Sequence, residues 1–198
     1  LGLSHGGGNA MFNTANPPFD DVRVRQAAIL SADQETLIDV LGGAGVTPPA
    51  NQLFSVDDAY WTQEAADAYP SYDAEAAMEE LQSYIDDPDR SDGEAPGTPV
   101  SFRFDCPPDP SLNELSQMYE SLWTSVGFDV ELRQVEQATH VDEAISGDYQ
   151  AKCFRFGEQY DPAIVLRNLF ELDSPQNYAN YDNADVREMI TALHAEDF

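Results

Sequence analysis

Basic residues are scarce in this sequence. Nine Lys and Arg stand against 37 Asp and Glu, which gives a formal net charge of −28 over 198 residues. A surface this negative repels phosphate backbones and anionic lipid surfaces, so the composition argues against nucleic-acid binding. Two interpretations of the charge stay open: solubility in a salty medium, where screening tolerates self-repulsion, and attraction of cationic ligands.

Long apolar runs are also absent. No stretch of about 18 apolar residues occurs, so the sequence predicts no membrane-spanning helix. The hydrophobic fraction of 42% is enough for a packed core, and the length suits one large domain or two small ones. The chain has two cysteines, Cys106 and Cys153, each at or near the end of a predicted strand. A disulfide between them and two buried free thiols both remain possible.

The residue types that often perform catalysis or bind metals do not form a complete catalytic or metal-binding motif in this sequence. Residues 2–8 match both a G-x-S-x-G and an HGGG pattern, but the required strand before and helix after are missing. His5, His140 and His194 are far apart and lack neighbours at metal-ligand spacing. The acidic segment 86–94 does not fit a calcium-binding EF-hand loop. We therefore expect neither a metal nor a cofactor.

Apolar periodicity predicts an alternation of strands and helices. The predicted strands are 9–13, 100–105, 128–135 and 149–156. The predicted helices are 21–31, 33–41, 73–85, 112–126, 140–146, 162–172 and 184–195, with a long irregular segment at 44–72 and a polar loop at 86–99. Strands separated by helices imply parallel pairing through right-handed crossovers. The predicted fold class is α/β, with a mixed, mostly parallel sheet flanked by helices.

The candidate ligand-binding residues lie at the end of the fourth predicted strand and in the loop that follows it: Arg155, Phe156, Glu158, Gln159 and Tyr160. Gly157 interrupts this strand, and Asp161 followed by Pro162 is typical of a helix start. The loop therefore lies at the carboxyl end of a strand, where ligands bind in open α/β sheets.

Two readings of this loop are possible from the residues alone. Glu158 could receive an ammonium group through a charge-assisted hydrogen bond, or it could pair with Arg155 instead. The aromatic side chains of Phe154, Phe156 and Tyr160 could line a ligand-binding site or fill the core. A different class of function is a hydrolase in which Glu158 and Asp161 act as acid and base.

One stretch of the sequence is long and specific enough to suggest a family. It runs Phe12-Asn13, then Pro17-Pro18-Phe19-Asp20-Asp21-Val22-Arg23-Val24-Arg25-Gln26-Ala27-Ala28, then Ser31-Ala32-Asp33. This closely resembles a signature of the family 5 extracellular solute-binding proteins, the dipeptide- and oligopeptide-binding components of ABC importers. Stretches 72–77, 122–130 and 177–185 are also similar to that family.

The resemblance implies a two-lobed type II periplasmic binding protein, without catalysis, that closes on a solute and delivers it to ABC permease subunits. We expect residues 1–198 to be the C-terminal ligand-binding lobe, with 1–13 as the crossover strand region. In peptide-binding members, an acidic residue at the position of Glu158, four before the Pro, receives the peptide's amino terminus; here it is Glu in place of Asp.

The expected solute is therefore a peptide or a related amine-bearing molecule, although other branches of the family carry nickel chelates, oligosaccharides or opines. The resemblance also places the full-length protein in the periplasm or on the extracellular face, secreted or lipid-anchored.

Overall fold

A computed structural model of the chain describes residues 9–40, 49, 51–54, 56–154 and 162–195. The strands in these ranges are β1 (Asn9–Phe12), β2 (Ser101–Cys106), β3 (Asp129–Gln134) and β4 (Ala151–Phe154). The helices are α1 (Val22–Leu30), α2 (Gln34–Val40), α3 (Gln63–Ala68), α4 (Ala74–Ile85), α5 (Pro110–Val126), α6 (Gln137–Ser146), α7 (Pro162–Phe170) and α8 (Ala184–Ala195).

The four strands form one sheet in the order β1-β4-β2-β3. β2 pairs in parallel with β3 and with β4, whereas β1 runs antiparallel to β4. The predicted α/β class, with a mixed and mostly parallel sheet, is therefore confirmed. The carboxyl ends of the three parallel strands, at Cys106, Gln134 and Phe154, lie along one edge of the sheet.

Aspartates begin the best-defined helices. The side chain of Asp73 accepts hydrogen bonds from two backbone N–H groups of the first turn of α4, and Asp109 does the same for α5. Each cap satisfies donors that a helix start otherwise leaves unpaired. Gly127 ends α5 with a φ of 112°, a left-handed conformation that glycine adopts without steric cost.

The prediction of a wholly irregular segment at 44–72 is wrong, because α3 (Gln63–Ala68) lies within it. The hydroxyl of Thr62 caps this helix by accepting from the N–H of Ala65 at 3.2 Å. A six-residue helix is too short to show apolar periodicity, so its only sequence signal is the cap. Residues 41–48, where a Gly pair was expected to stop the second helix, lie outside the described residues.

An aromatic core fills the space between one face of the sheet and helices α1, α4 and α5. Trp123 of α5 lies 5.3 Å from Phe102 and 4.9 Å from Phe104, ring centre to ring centre. Its indole N–H donates to the carbonyl of Ala28 at 3.1 Å, so the polar atom of this buried ring is satisfied. Each such side chain stabilises the fold by about 1.5–3 kcal/mol through burial.

The family-like stretch around residues 12–33 has a structural role in this core. Phe19 is fully buried and stacks on Phe12 at 4.3 Å. Asp21 caps α1, and Arg23 joins Asp21 (2.7 Å) to Asp87 (2.9 Å). The stretch thus fastens α1 to the sheet and to the polar loop that follows α4.

Candidate functional site

The loop predicted to bind ligand follows β4 directly. Residues 155–161 lie outside the described residues, and with them Arg155, Phe156, Glu158, Gln159, Tyr160 and Asp161. The structure describes both flanks: β4 ends at Phe154, and α7 begins at Pro162. The strand that precedes these residues thus ends at the carboxyl edge of the parallel strands.

Phe154 contributes to packing at this edge. Its partly buried ring lies 5.2 Å from the ring of Tyr178 and 6.3 Å from that of His140. These contacts lie on the face of the sheet opposite the aromatic core, in a small cluster built on Met11, Ala144 and Tyr149. Two roles were considered for Phe154, lining a ligand site and filling the core. These contacts favour core packing.

A disulfide joins the two parallel strands at the base of the loop. Cys106 ends β2, Cys153 lies one residue before the end of β4, and their Cα atoms are 4.9 Å apart. The two residues follow the paired positions Asp105 and Lys152 in the parallel register. The alternative of two free thiols is therefore wrong, and the bond ties the strand that enters the loop to its neighbour.

A buried charge cluster lies between the sheet and α6, made of Asp105, Arg133, Glu143 and Lys152. Asp105 accepts two hydrogen bonds from Arg133, both at 2.9 Å, and Arg133 also reaches Glu143 at 2.7 Å. The ammonium of Lys152 donates to the carbonyl of His140 at 2.8 Å and lies 3.5 Å from Glu143. Both Asp105 and Lys152 are fully buried. Buried ions need such partners, so this cluster fixes α6 against the sheet.

The protonation equilibria of the cluster follow from burial and charge. Burial lowers the pKa of Lys152, the only lysine in the chain, and the nearby Glu143 carboxylate opposes this shift. Burial alone would raise the pKa of Glu143, but hydrogen bonding and attraction from Arg133 outweigh it and lower the pKa. Arg133 thus binds both carboxylates of the cluster.

His140, in α6, contacts the end of β4. Its Nε2 lies 2.8 Å from the carbonyl oxygen of Cys153, and a carbonyl only accepts, so Nε2 carries the proton. The other ring nitrogen, Nδ1, is buried and has no hydrogen-bond partner among the described residues. Burial and the charge of Lys152 lower the pKa of His140, which keeps the ring neutral near pH 7.

Asn13 connects three segments near the opposite end of β4. It is fully buried, and its amide group donates to the carbonyls of Gly147 (2.9 Å) and Tyr149 (3.1 Å). Its amide oxygen accepts from the N–H of Ala15 and from the side chain of Asn180. All four hydrogen-bonding positions of the amide are thereby used.

The described residues contain neither a group of metal-ligand side chains nor a helix able to cross a membrane. Within those ranges, no three His, Cys, Asp or Glu side chains are grouped as metal ligands would be. None of the helices described is both long and apolar enough to cross a membrane.

Comparison with protein families matches residues 2–178 to the bacterial extracellular solute-binding proteins, family 5 Middle. The chain belongs to this family. The sequence resemblance is therefore confirmed, and the family is one of binding proteins rather than enzymes. The hydrolase alternative based on Glu158 and Asp161 gains no support from any of the comparisons.

Curated relatives are similar to the chain over most of its length. The periplasmic oligopeptide-binding protein OppA of Haemophilus influenzae is 24% identical over 189 residues, which cover 92% of this chain and 34% of that protein. A dipeptide-binding protein of Pseudomonas aeruginosa is 24% identical over 192 residues, 93% of this chain and 34% of the relative. The chain thus spans about a third of the length of these relatives.

Solved structures share the fold. Haemophilus influenzae OppA bound to the peptide RPPGFSPFR matches 100% of this chain and 38% of its own, with a TM-score of 0.77 and 21% identity. A mannohexaose-bound protein of Thermotoga maritima matches 98% of this chain and 39% of its own (TM-score 0.77, 19% identity). NikZ of Campylobacter jejuni with a nickel–histidine complex matches 96% and 38% (TM-score 0.76, 20% identity). The chain therefore has the fold of the corresponding part of these type II periplasmic binding proteins.

The buried charge cluster and the contact of His140 were not predicted from sequence. One signal was available, since Asp105 lies between Phe104 and Cys106 in β2, and Lys152 lies between Ala151 and Cys153 in β4. A charged residue at a buried strand position requires a partner on the same face of the sheet. The sequence alone did not reveal that α6 covers that face.

Proposed function

We propose that this chain is the ligand-binding C-terminal lobe of the solute-binding component of an ABC importer, and that its solute is a peptide. The family match over residues 2–178 carries this proposal. The peptide-binding names of the two curated relatives support the choice of solute. β4 ends at the carboxyl edge of the parallel strands, directly before residues 155–161 in the chain, and this supports a ligand site there.

The proposed compartment is the periplasm or the extracellular face. The Cys106–Cys153 disulfide supports this location, because disulfides persist in oxidising compartments and are rare where thiols are kept reduced. The proposed partners are the permease subunits of the importer, and closure of two lobes around the solute would be the signal for delivery.

Within the proposed site, Glu158 receives the ammonium group of the peptide. A charge-assisted hydrogen bond of this kind contributes about 1.5–3 kcal/mol, which corresponds to about 10- to 150-fold in affinity. The test combines two changes: Glu158→Gln in the protein expressed from its complete gene, and N-acetylation of a trialanine probe. Isothermal titration of all four combinations measures whether the two effects depend on each other.

The expected result is that either change alone weakens binding by that factor, while both together weaken it little further. Independent, additive losses would contradict the assignment of Glu158 to the ammonium group. Glu188→Gln is the matched control, because this exposed glutamate on α8 makes the same charge change elsewhere. If trialanine fails to bind but mannohexaose or a nickel–histidine complex does, the peptide assignment is wrong while the solute-binding role stands.

A further inference from the structure

An open pocket lies beside the C-terminal ends of α4 and α5, with a volume of about 330 Å³. Its lining includes Pro99, two residues before β2, and Gly127, two residues before β3. The pocket therefore lies at the amino ends of these parallel strands, whereas β4 ends at the opposite edge of the sheet. It is distinct from a ligand site after β4, and its volume is within the range of small-molecule sites.

The walls of the pocket are mainly apolar. Leu81 of α4 and Val126 of α5 are buried, and Met78 of α4 is 46% exposed, so the lining extends from the core to solvent. Gln82 adds a polar side chain, and its amide donates to the carboxylate of Asp86 at 2.9 Å. Apolar walls with a few polar groups are typical of sites that bind small molecules.

The electrostatic potential of the pocket is negative. α4 ends at Ile85 and α5 at Val126, and both of these residues line the pocket. The C-terminal end of a helix carries a partial negative charge, and neither last turn contains a basic side chain that would offset it. Asp86, which is exposed and follows α4 directly, adds a full negative charge. The pocket should therefore attract a cation and repel an anion.

Two arginines near the pocket are already bound by carboxylates. Arg23 donates to a backbone carbonyl in the last turn of α4, and its guanidinium is bound by Asp21 and Asp87. Arg90, in the loop after α4, has a fully buried side chain that is bound by Asp92 at 2.6 Å. Because each guanidinium is neutralised by its own partners, neither offers a charge to an anionic ligand.

We propose that this pocket binds a small amphipathic amine. The apolar body of the ligand packs against Met78, Leu81 and Val126, and its ammonium group lies toward Asp86 and the two helix ends. A neutral molecule with the same body lacks the electrostatic attraction, and an anion is repelled. The inference is independent of the proposed peptide role, since the pocket and the end of β4 lie at opposite edges of the sheet.

The experiment compares three probes that share one apolar chain: hexylamine, hexanol and hexanoate. At about pH 7 the first is a cation, the second is neutral and the third is an anion. The protein is expressed from its complete gene with isotope-labelled methionine methyl groups, and methyl NMR follows each titration. The Met78 methyl, assigned from the spectrum of Met78→Leu, reports on the pocket. The methyl of Met189, which is 63% exposed on α8, is the matched reporter elsewhere.

We expect hexylamine to shift the Met78 methyl in a saturable way and to leave the Met189 methyl in place. Hexanol should bind about 3- to 30-fold more weakly, the combined factor for a cation at two helix ends, and hexanoate should bind more weakly still. No saturable shift of the Met78 methyl, or equal affinities for the three probes, would overturn the proposal. Parallel shifts of both methyls would also overturn it, because they would show adsorption to the acidic surface in general.

A charge variant tests the position of the ammonium group. Asp86→Asn keeps an acceptor for Gln82 and should weaken hexylamine binding by about 2- to 5-fold, the factor for one exposed ion pair, without changing hexanol binding. Asp39→Asn, which removes an exposed carboxylate at the C-terminal end of α2, is the matched control and should leave both affinities unchanged. Equal weakening by the two variants would refute a local contact with Asp86.

Discussion

Removal of the Cys106–Cys153 disulfide should lower stability more than any other change considered for this chain. The bond closes a loop with a sequence separation of 47. In the chain-entropy description, a loop of this length contributes about 4 kcal/mol by restricting the unfolded state. For a chain of 198 residues, a loss of that size lowers Tm by about 10 °C.

The perturbation is the double variant Cys106→Ala and Cys153→Ala, with alanine chosen because both sulfurs lie in the aromatic core. Calorimetry and denaturant unfolding measure the difference. Wild type treated with a reductant should behave like the variant, which separates the cross-link from the packing of the sulfur atoms. Free energies of unfolding that agree within about 1 kcal/mol between oxidised wild type and the double variant would refute the reasoning.

Three further effects can be tested on the same protein. The free energy of unfolding should rise when sodium chloride is increased from about 0.1 M to about 1 M, because salt shortens the Debye length and weakens repulsion among the surplus carboxylates. An unfolding midpoint that does not change with salt would argue against that repulsion. Asn13→Ala should destabilise by about 1–3 kcal/mol, because it leaves the Tyr149 carbonyl without its buried side-chain donor, while the Gly147 carbonyl keeps the side chain of Asn16. Asn51→Ala, at an exposed position, should change little. Lys152, the only lysine and fully buried, should resist an amine-reactive reagent in the native protein and react in denaturant, as read by mass spectrometry; rapid labelling of the native side chain would contradict its burial.

Local signals predicted the helices well where a cap and a periodic apolar face coincide. The predicted helix 184–195 has the same bounds in the structure, and α4 (Ala74–Ile85) differs from the predicted helix 73–85 by one residue at its start. α7 ends at Phe170, two residues before the predicted end, and α6 begins three residues before its predicted start. Helix ends without a strong cap or a glycine are less well fixed by local sequence.

Pairing between distant segments was harder to predict. The strand pattern of residues 9–13 indicated a strand but carried no information about its neighbour, and the structure pairs β1 antiparallel to β4. The end of β4 at the carboxyl edge of the sheet could be predicted, since it follows from strand direction alone. The cluster around Asp105 and Lys152 depends on which helix covers which face, and that is decided by tertiary packing.

The distribution of the few cations connects the acidic composition with ligand choice. Every Lys and Arg side chain in the described part of the chain is bound by a carboxylate or a backbone carbonyl. These cations therefore stabilise contacts within the fold. The surplus carboxylates create a negative electrostatic field around the protein. Such a field speeds the approach of a cationic peptide at low salt, and this effect fades when salt screens it. A direct contact between Glu158 and an ammonium group would act at short range and would persist at high salt. A preference for amine-bearing solutes that survives at high salt would therefore have to come from the site itself, and the acidic surface would then serve mainly solubility.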